Sequence, residues 1–77
     1  MQMQIDRELD ARGLNCPLPL MKTKKTLAEM QSGQVLRVVA SDAGSMPDIL
    51  AFVKKAGHEM LEQQNIGKEY IHIIRCN

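Results

Sequence analysis

Residues 9–20 decide how this chain is organised, and they read Leu9-Asp10-Ala11-Arg12-Gly13-Leu14-Asn15-Cys16-Pro17-Leu18-Pro19-Leu20. Proline fixes its own φ near the helical value and has no N–H, so Pro17 suits the first turn of a helix. It also pushes the residue before it out of the α region. Cys16 is therefore predicted to be the non-helical N-cap residue where a strand ends and a helix begins. Because Pro19 disfavours helical geometry at Leu18, a regular helix that begins at Pro19 is the alternative.

The predicted position of Cys16 has a chemical consequence. The thiolate is the reactive form of cysteine, and the partial positive charge at a helix N-terminus lowers the pKa of a thiol. With the N–H groups of Leu18 and Leu20 near the sulfur, we expect Cys16 to titrate below an ordinary cysteine. The alternative is a small buried apolar residue, as free cysteines often are. The two prolines that follow, in a loop that contains Gly13, favour the reactive interpretation.

The spacing of apolar residues outward from this stretch predicts six elements in the order βαβαββ. Strands are predicted at 5–10, 34–40, 58–63 and 70–76, and helices at 17–30 and from about 45 to 57. Ser45 and Asp48 have the spacing of a capping box at the start of the second helix, which Gly57 ends. The first helix should turn one stripe of residues toward the core, namely Leu20, Thr23, Leu27 and Met30.

Length and composition limit the function classes. The chain has 77 residues and a net charge of +1, which predicts one domain over 1–77 and argues against a general nucleic-acid coat. Tyr70 and Phe52 are the only aromatic residues, too few for a base-stacking platform. The first residues contain no apolar run, so we expect no signal peptide or membrane span and place the chain in the cytoplasm. The sequence contains no Cys/His cluster with zinc spacing.

The pattern Leu9-Asp10-x-x-Gly13-Leu14-x-Cys16-Pro17-x-Pro19 resembles the signature of the TusA/SirA-like sulfur-carrier family. The resemblance continues through 21–25, 38–42, 48–49 and 70–75. It implies an α+β two-layer sandwich: a four-stranded mixed sheet of order 1-2-4-3, with strand 4 antiparallel and both helices on one face. It also implies that Cys16 is the catalytic residue, which carries a sulfane sulfur as a persulfide, with no further cofactor and no metal.

Other residues are assigned smaller roles. Asp10 and Gly13 are predicted to position the loop together with the two prolines, Asp10 as an acceptor of backbone hydrogen bonds. Arg12, Lys22 and Lys25 are either solvated cations or a patch that docks a partner protein. The histidines His58 and His72 are predicted to be structural, and the exchange of sulfur needs no general base beside a thiolate. Cys76 is predicted to be a frayed terminal residue, too far from Cys16 for a disulfide.

These observations lead to a functional prediction. The chain is expected to be a monomeric sulfur carrier or sulfurtransferase that takes sulfur from a cysteine desulfurase or rhodanese-type donor. It would pass the sulfur to an acceptor sulfurtransferase of the DsrE/TusD type, in sulfur oxidation, sulfur trafficking or tRNA thiolation. The alternative from another class is a regulatory or RNA-interacting βαβαββ module without sulfur transfer. The charge balance predicts no stable binding to nucleic acid.

Overall fold

The computed structural model describes residues 4–77, and these form six elements in the predicted order. They are β1 (Arg7–Ala11), α1 (Leu18–Ala28), β2 (Val35–Ala40), α2 (Ser45–Ala56), β3 (Glu59–Ile66) and β4 (Glu69–Arg75). The strands form one sheet of order β1-β2-β4-β3. β1 pairs with β2 in parallel, and β4 pairs with β2 and β3 in antiparallel fashion. The predicted α+β fold is confirmed.

Both helices pack on the same face of the sheet. Alternation along β2 turns Leu36, Val38 and Ala40 toward this face, where all three are fully buried. They share one apolar cluster with Leu27 of α1 and with residues of α2. The predicted stripe of α1 is confirmed, because Thr23 and Leu27 are buried and the other two members pack against the core.

The opposite face of the sheet has a smaller apolar cluster. Val35 of β2 and Ile71 and Ile73 of β4 form its buried part, with Val39 and Leu61 packed beside them. Long charged side chains also lie on this face, among them Arg37, which contacts Glu8 at 3.8 Å.

The ends of the elements differ from the prediction by up to three residues, and two of these differences have a clear structural description. α1 begins at Leu18 with Pro17 as its N-cap residue, one position later than expected. β3 continues to Ile66, because Gly67 adopts a φ of +62° and allows a tight turn directly into β4. Within residues 4–77, neither helix is long and apolar enough to cross a membrane.

The interpretation of Cys76 as a frayed terminal residue is wrong. Its N–H donates to the carbonyl oxygen of Gln34 and its own carbonyl oxygen accepts from Gly33, both at 2.8 Å. These bonds hold the residue beyond the end of β4, and the residue is only 5% exposed. Cys76 is therefore a small apolar side chain of the core, as free cysteines in proteins often are.

Candidate functional site

The loop between β1 and α1 is fixed by the next loop of the chain. β1 and β2 are parallel, so their carboxyl ends lie at the same edge of the sheet. Gly13 has a φ of +81°, a conformation that glycine adopts without steric cost. Its N–H donates to Ser41 Oγ at 2.8 Å, and the Cys16 N–H donates to Asp42 Oδ2 at 3.0 Å. The backbone on both sides of the loop is therefore anchored to the loop that follows β2.

The thiol of Cys16 contacts a carboxylate of α2. Cys16 is exposed, and its Sγ donates to Asp48 Oδ2 at 3.2 Å. Asp48 lies in the first turn of α2 and is half-buried. The structure therefore surrounds Cys16 with two acidic residues, one bound to its backbone and one bound to its sulfur.

The N-terminus of α1 offers the sulfur fewer donors than we expected. Pro17 and Pro19 have no N–H. The Leu18 N–H donates to the carbonyl oxygen of Asn15 at 2.9 Å. Residues 17–19 therefore offer the sulfur no free N–H group. The sulfur contacts the carboxylate of Asp48 instead.

This arrangement overturns the prediction for the acidity of Cys16. The hydrogen bond to Asp48 raises the pKa of the thiol, and desolvation and the charges of Asp48 and Asp42 act in the same direction. A nearby negative charge disfavours a second one, so the thiol form is retained to higher pH. These neighbours therefore favour the thiol form of Cys16 over the thiolate.

Asp10, Arg12 and Glu69 form a separate charged group at this end of the sheet. Arg12 donates to both carboxylate oxygens of Asp10, at 2.9 and 3.0 Å, and to Glu69 Oε2 at 3.2 Å. The Arg12 N–H also donates to Asp10 Oδ1 at 3.0 Å. These bonds lower the pKa of Asp10 to about 2, mainly through the side chain of Arg12. Arg12 is thus already neutralised by two carboxylates, whereas Lys22 and Lys25 lie exposed on α1.

The two prolines occupy different environments. Pro17 is exposed, whereas Pro19 is among the fully buried residues. The Thr23 hydroxyl donates to the carbonyl oxygen of Pro19 at 2.8 Å, inside the first turns of α1. Pro19 therefore ties the end of the loop to the core.

The histidines take part in contacts that support the fold. His72 is fully buried in β4. Its Nδ1 lies 3.2 Å from Gln63 Nε2, which also donates to the Met46 carbonyl oxygen at 3.0 Å. Since this amide nitrogen donates, Nδ1 accepts, and Nε2 carries the proton toward Ser45 Oγ at 3.2 Å. Burial lowers the pKa of His72 to about 4, so the neutral ring links β4 to the start of α2.

The sequence reading missed the role of Asp48. The predicted capping box is wrong, because α2 has Gly44 as its N-cap residue and the Ser45 hydroxyl bonds His72 instead. The carboxylate of Asp48 contacts the Sγ of Cys16. The signal that was available is an acidic residue in the first turn of the helix that follows β2, at the same sheet edge as the loop of Cys16.

The histidine, cysteine and acidic side chains of residues 4–77 form no group that could hold a metal ion. Both cysteines are free thiols. Around Cys16, an exposed thiol and a carboxylate are in direct contact, which is an arrangement suited to chemistry at sulfur.

Comparison with known proteins gives a consistent result. The family model described as "Sulfurtransferase TusA" matches residues 7–76. The chain is 51% identical over 70 residues to the sulfur carrier protein TusA of Allochromatium vinosum, covering 91% of this chain and 92% of that protein. It is 52% identical over 66 residues to a putative sulfur carrier protein of Archaeoglobus fulgidus, covering 86% and 89%. The crystal structure of a SirA-like protein from Desulfitobacterium hafniense superposes with a TM-score of 0.81 at 25% identity, over 92% of this chain and 97% of that one.

Proposed function

The chain belongs to the TusA family of sulfur carrier proteins, and from this premise we propose that Cys16 carries the sulfur as a persulfide. A sulfur carrier interacts with a protein that donates sulfur and a protein that accepts it. In this proposal the transferred sulfur atom is bonded to the Sγ of Cys16. It needs no further cofactor.

The observation that carries the proposal is the difference in exposure between the two thiols. Cys16 is exposed in the loop after β1, and Cys76 is buried. Exchange requires that the attacking sulfur reach the sulfane sulfur of another protein. Cys76 is 5% exposed and could do this only after the end of β4 had opened. Cys16 needs no such opening.

The geometry also favours a carrier over a dithiol oxidoreductase. Cys76 follows the end of β4, which pairs with the beginning of β2, whereas Cys16 follows the end of β1. The two thiols therefore lie at opposite ends of the sheet and cannot form a disulfide without large movement. A sulfur on Cys16 then leaves to another molecule rather than being released by a second cysteine of the same chain.

The neighbouring residues are proposed to hold and present the loop. Asp10, Gly13 and Pro19 fix the backbone around Cys16 through the contacts described above, and Pro17 stiffens its exposed end. Leu18 and Met21 are 45% and 56% exposed on α1. Together with Lys22 and Lys25 they offer an apolar and cationic surface for a donor or an acceptor.

The partners and the pathway complete the proposal. The donor is of the cysteine desulfurase or rhodanese type, and the acceptor is a sulfurtransferase of the DsrE/TusD type. The sulfur would then enter sulfur oxidation or trafficking, or the thiolation of tRNA. All of these routes use the same step at Cys16.

The test locates the sulfur. The protein is incubated with a cysteine desulfurase and cysteine, and peptide mass spectrometry follows the mass of one added sulfur atom. The wild type should gain it on the peptide that contains Cys16, and Cys16→Ser should gain none while keeping its circular dichroism spectrum. Cys76→Ala is the matched control and should load like the wild type. Persulfide mainly on Cys76, or full loading of Cys16→Ser, would overturn the proposal.

A further inference from the structure

We propose that Asp48 is a second catalytic residue, which takes the proton of the Cys16 thiol as the sulfur attacks the donor persulfide. This inference rests on the proposed persulfide function of Cys16. It assigns to Asp48 a part in the chemistry rather than in the start of α2, where its position in the sequence first suggested a cap.

The geometry places a proton acceptor directly on the reacting atom. The Sγ of Cys16 and Oδ2 of Asp48 are 3.2 Å apart, and a general base must lie within hydrogen-bond reach of the proton that it removes. Asp48 stands in the first turn of α2, where the helix N-terminus favours a negative charge. Cys16 is exposed, so a donor can approach the sulfur while the contact to Asp48 is retained.

The resting state explains why an acceptor is needed. Two carboxylates beside Cys16 favour the neutral thiol, and the pKa of the thiol is raised accordingly. The neutral thiol is not the attacking species in exchange at sulfur. A proton must therefore leave Sγ before or during the attack, and Asp48 is the group already in contact with it.

The other titratable groups described above are occupied elsewhere. Oδ2 of Asp42 accepts the Cys16 N–H at 3.0 Å. Asp10 is bound by Arg12 through its side chain and its backbone. His72 is fully buried, and His58 Nδ1 accepts the N–H of Asn77.

Loading exchanges one sulfur–sulfur bond for another. The bond between Sγ and the sulfane sulfur of the donor forms as the bond between that sulfur and the donor cysteine breaks, and the electron pair leaves with the donor thiolate. The proton of Sγ passes to Oδ2 of Asp48 and from there, through water, to the departing donor thiolate. Cys16 is oxidised to the persulfide and the donor cysteine is reduced to a thiol. In delivery, an acceptor thiol attacks the sulfane sulfur, the bond from that sulfur to Sγ breaks, and the proton that the acceptor loses returns to Sγ through Asp48.

The test separates acidity from proton transfer by two measurements on one variant. Asp48→Asn keeps the size of the side chain but removes the charge and the basic oxygen. At pH 7 its alkylation by iodoacetamide should be faster than in the wild type, because the pKa of Cys16 falls. Its single-turnover loading by glutathione persulfide should be slower by about tenfold or more, since general acid–base groups contribute roughly 10²–10⁴-fold and the larger thiolate fraction offsets part of the loss.

A second variant and a pH series provide the controls. Asp42→Asn also removes a charge beside Cys16 but leaves the contact between Sγ and Asp48, so alkylation and loading should rise together. In Asp48→Asn the loading deficit should shrink as the pH rises and the thiolate forms without help. Asp48→Ala replaces Asp48→Asn if the latter does not fold.

The outcomes are distinct. Loading of Asp48→Asn that rises in step with its alkylation, or a deficit that stays constant with pH, would overturn the role of Asp48 while Cys16 remains the carrier. A wild type that gains no sulfur on Cys16 in the same experiment would overturn the proposed function itself.

Discussion

The two cysteines of this chain differ in the properties that decide whether a thiol exchanges sulfur. Cys16 is exposed in a loop and touches a carboxylate of α2. Cys76 is 5% exposed, and its sulfur lies 3.6 Å from the carbonyl oxygen of Leu27 in the core. The same side chain is thus exposed at one end of the sheet and packed into the core at the other. The fold, by burying one thiol and exposing the other, decides which of the two identical side chains can reach another protein.

The largest difference that we expect between the two thiols is in their rates of alkylation in the folded protein. Cys16 should react with iodoacetamide about a thousandfold faster than Cys76 at pH 7, because exposing a buried side chain requires opening that costs ~4 kcal/mol or more. Peptide mass spectrometry over a time course gives both rates. In concentrated guanidinium chloride the two rates should become similar. Comparable rates without denaturant would show that the end of β4 is open.

A second prediction concerns the buried His72, which contacts Ser45 at the start of α2. His72 has a pKa of about 4 in the folded chain against 6.5 in the unfolded one, so between these values the unfolded chain binds the additional proton. The free energy of unfolding should therefore fall as the pH is lowered from about 6.5 to about 4. One pKa unit corresponds to ~1.4 kcal/mol. We expect a loss of about 2 kcal/mol, less than the full shift implies, because the folded chain can adjust around the protonated ring.

Urea denaturation at a series of pH values measures this loss. The matched control is His58→Gln, which removes the other histidine and should keep the step near the pKa of His72. His72→Gln should reduce the step. An unchanged step in His72→Gln would assign it to other groups.

A third prediction tests how the loop of Cys16 is attached to the core. Pro19→Ala removes apolar atoms that are buried in the folded state, and each buried methylene contributes ~0.8 kcal/mol. We expect a loss of about 1–2 kcal/mol in the free energy of unfolding, with slower sulfur loading. Leu18→Ala alters the neighbouring residue, which is 45% exposed, and should cost less than ~1 kcal/mol. Equal losses in urea denaturation would remove the distinction between the two positions.

The smallest effect expected is a change in acidity. In a Cys76→Ala background, the pH dependence of alkylation should give Cys16 a pKa above its ordinary value, because Asp48 and Asp42 disfavour the thiolate. Adding Asp48→Asn should lower it. Since the folded pKa is the higher one, this thiol stabilises the fold below the unfolded pKa, and the contribution is lost as the pH rises through the folded value. A pKa at or below the ordinary value would restore the helix-start interpretation.

Much of the fold could be predicted because its signals are local. The β-branched residues of β2 and β4 and the apolar spacing of both helices are visible in short windows of sequence, and the resemblance to the family supplied the order of the strands. The exposed cysteine before two prolines was also visible. These features need no knowledge of which distant residues meet.

The electrostatics of the site could not be predicted from the same signals. Asp48 follows Ser45 at capping-box spacing, and nothing local shows that the Ser45 hydroxyl turns to His72 of β4. Likewise, the burial of Cys76 depends on its backbone bonds to the loop before β2, residues 33 and 34. Both errors concern contacts between elements distant in the chain, where tertiary packing outweighs a local pattern.

The contact between Cys16 and Asp48 joins residues 32 positions apart, so it exists only in the folded chain. An unfolded or newly made copy has Cys16 in water without a neighbouring carboxylate, and its thiol ionises at the ordinary pKa. Oxidation of cysteine follows thiolate character and exposure. Folding therefore protects this thiol from oxidation. At neutral pH we expect unfolded copies to be oxidised sooner than folded ones, so that the folded protein meets a donor with Cys16 still reduced.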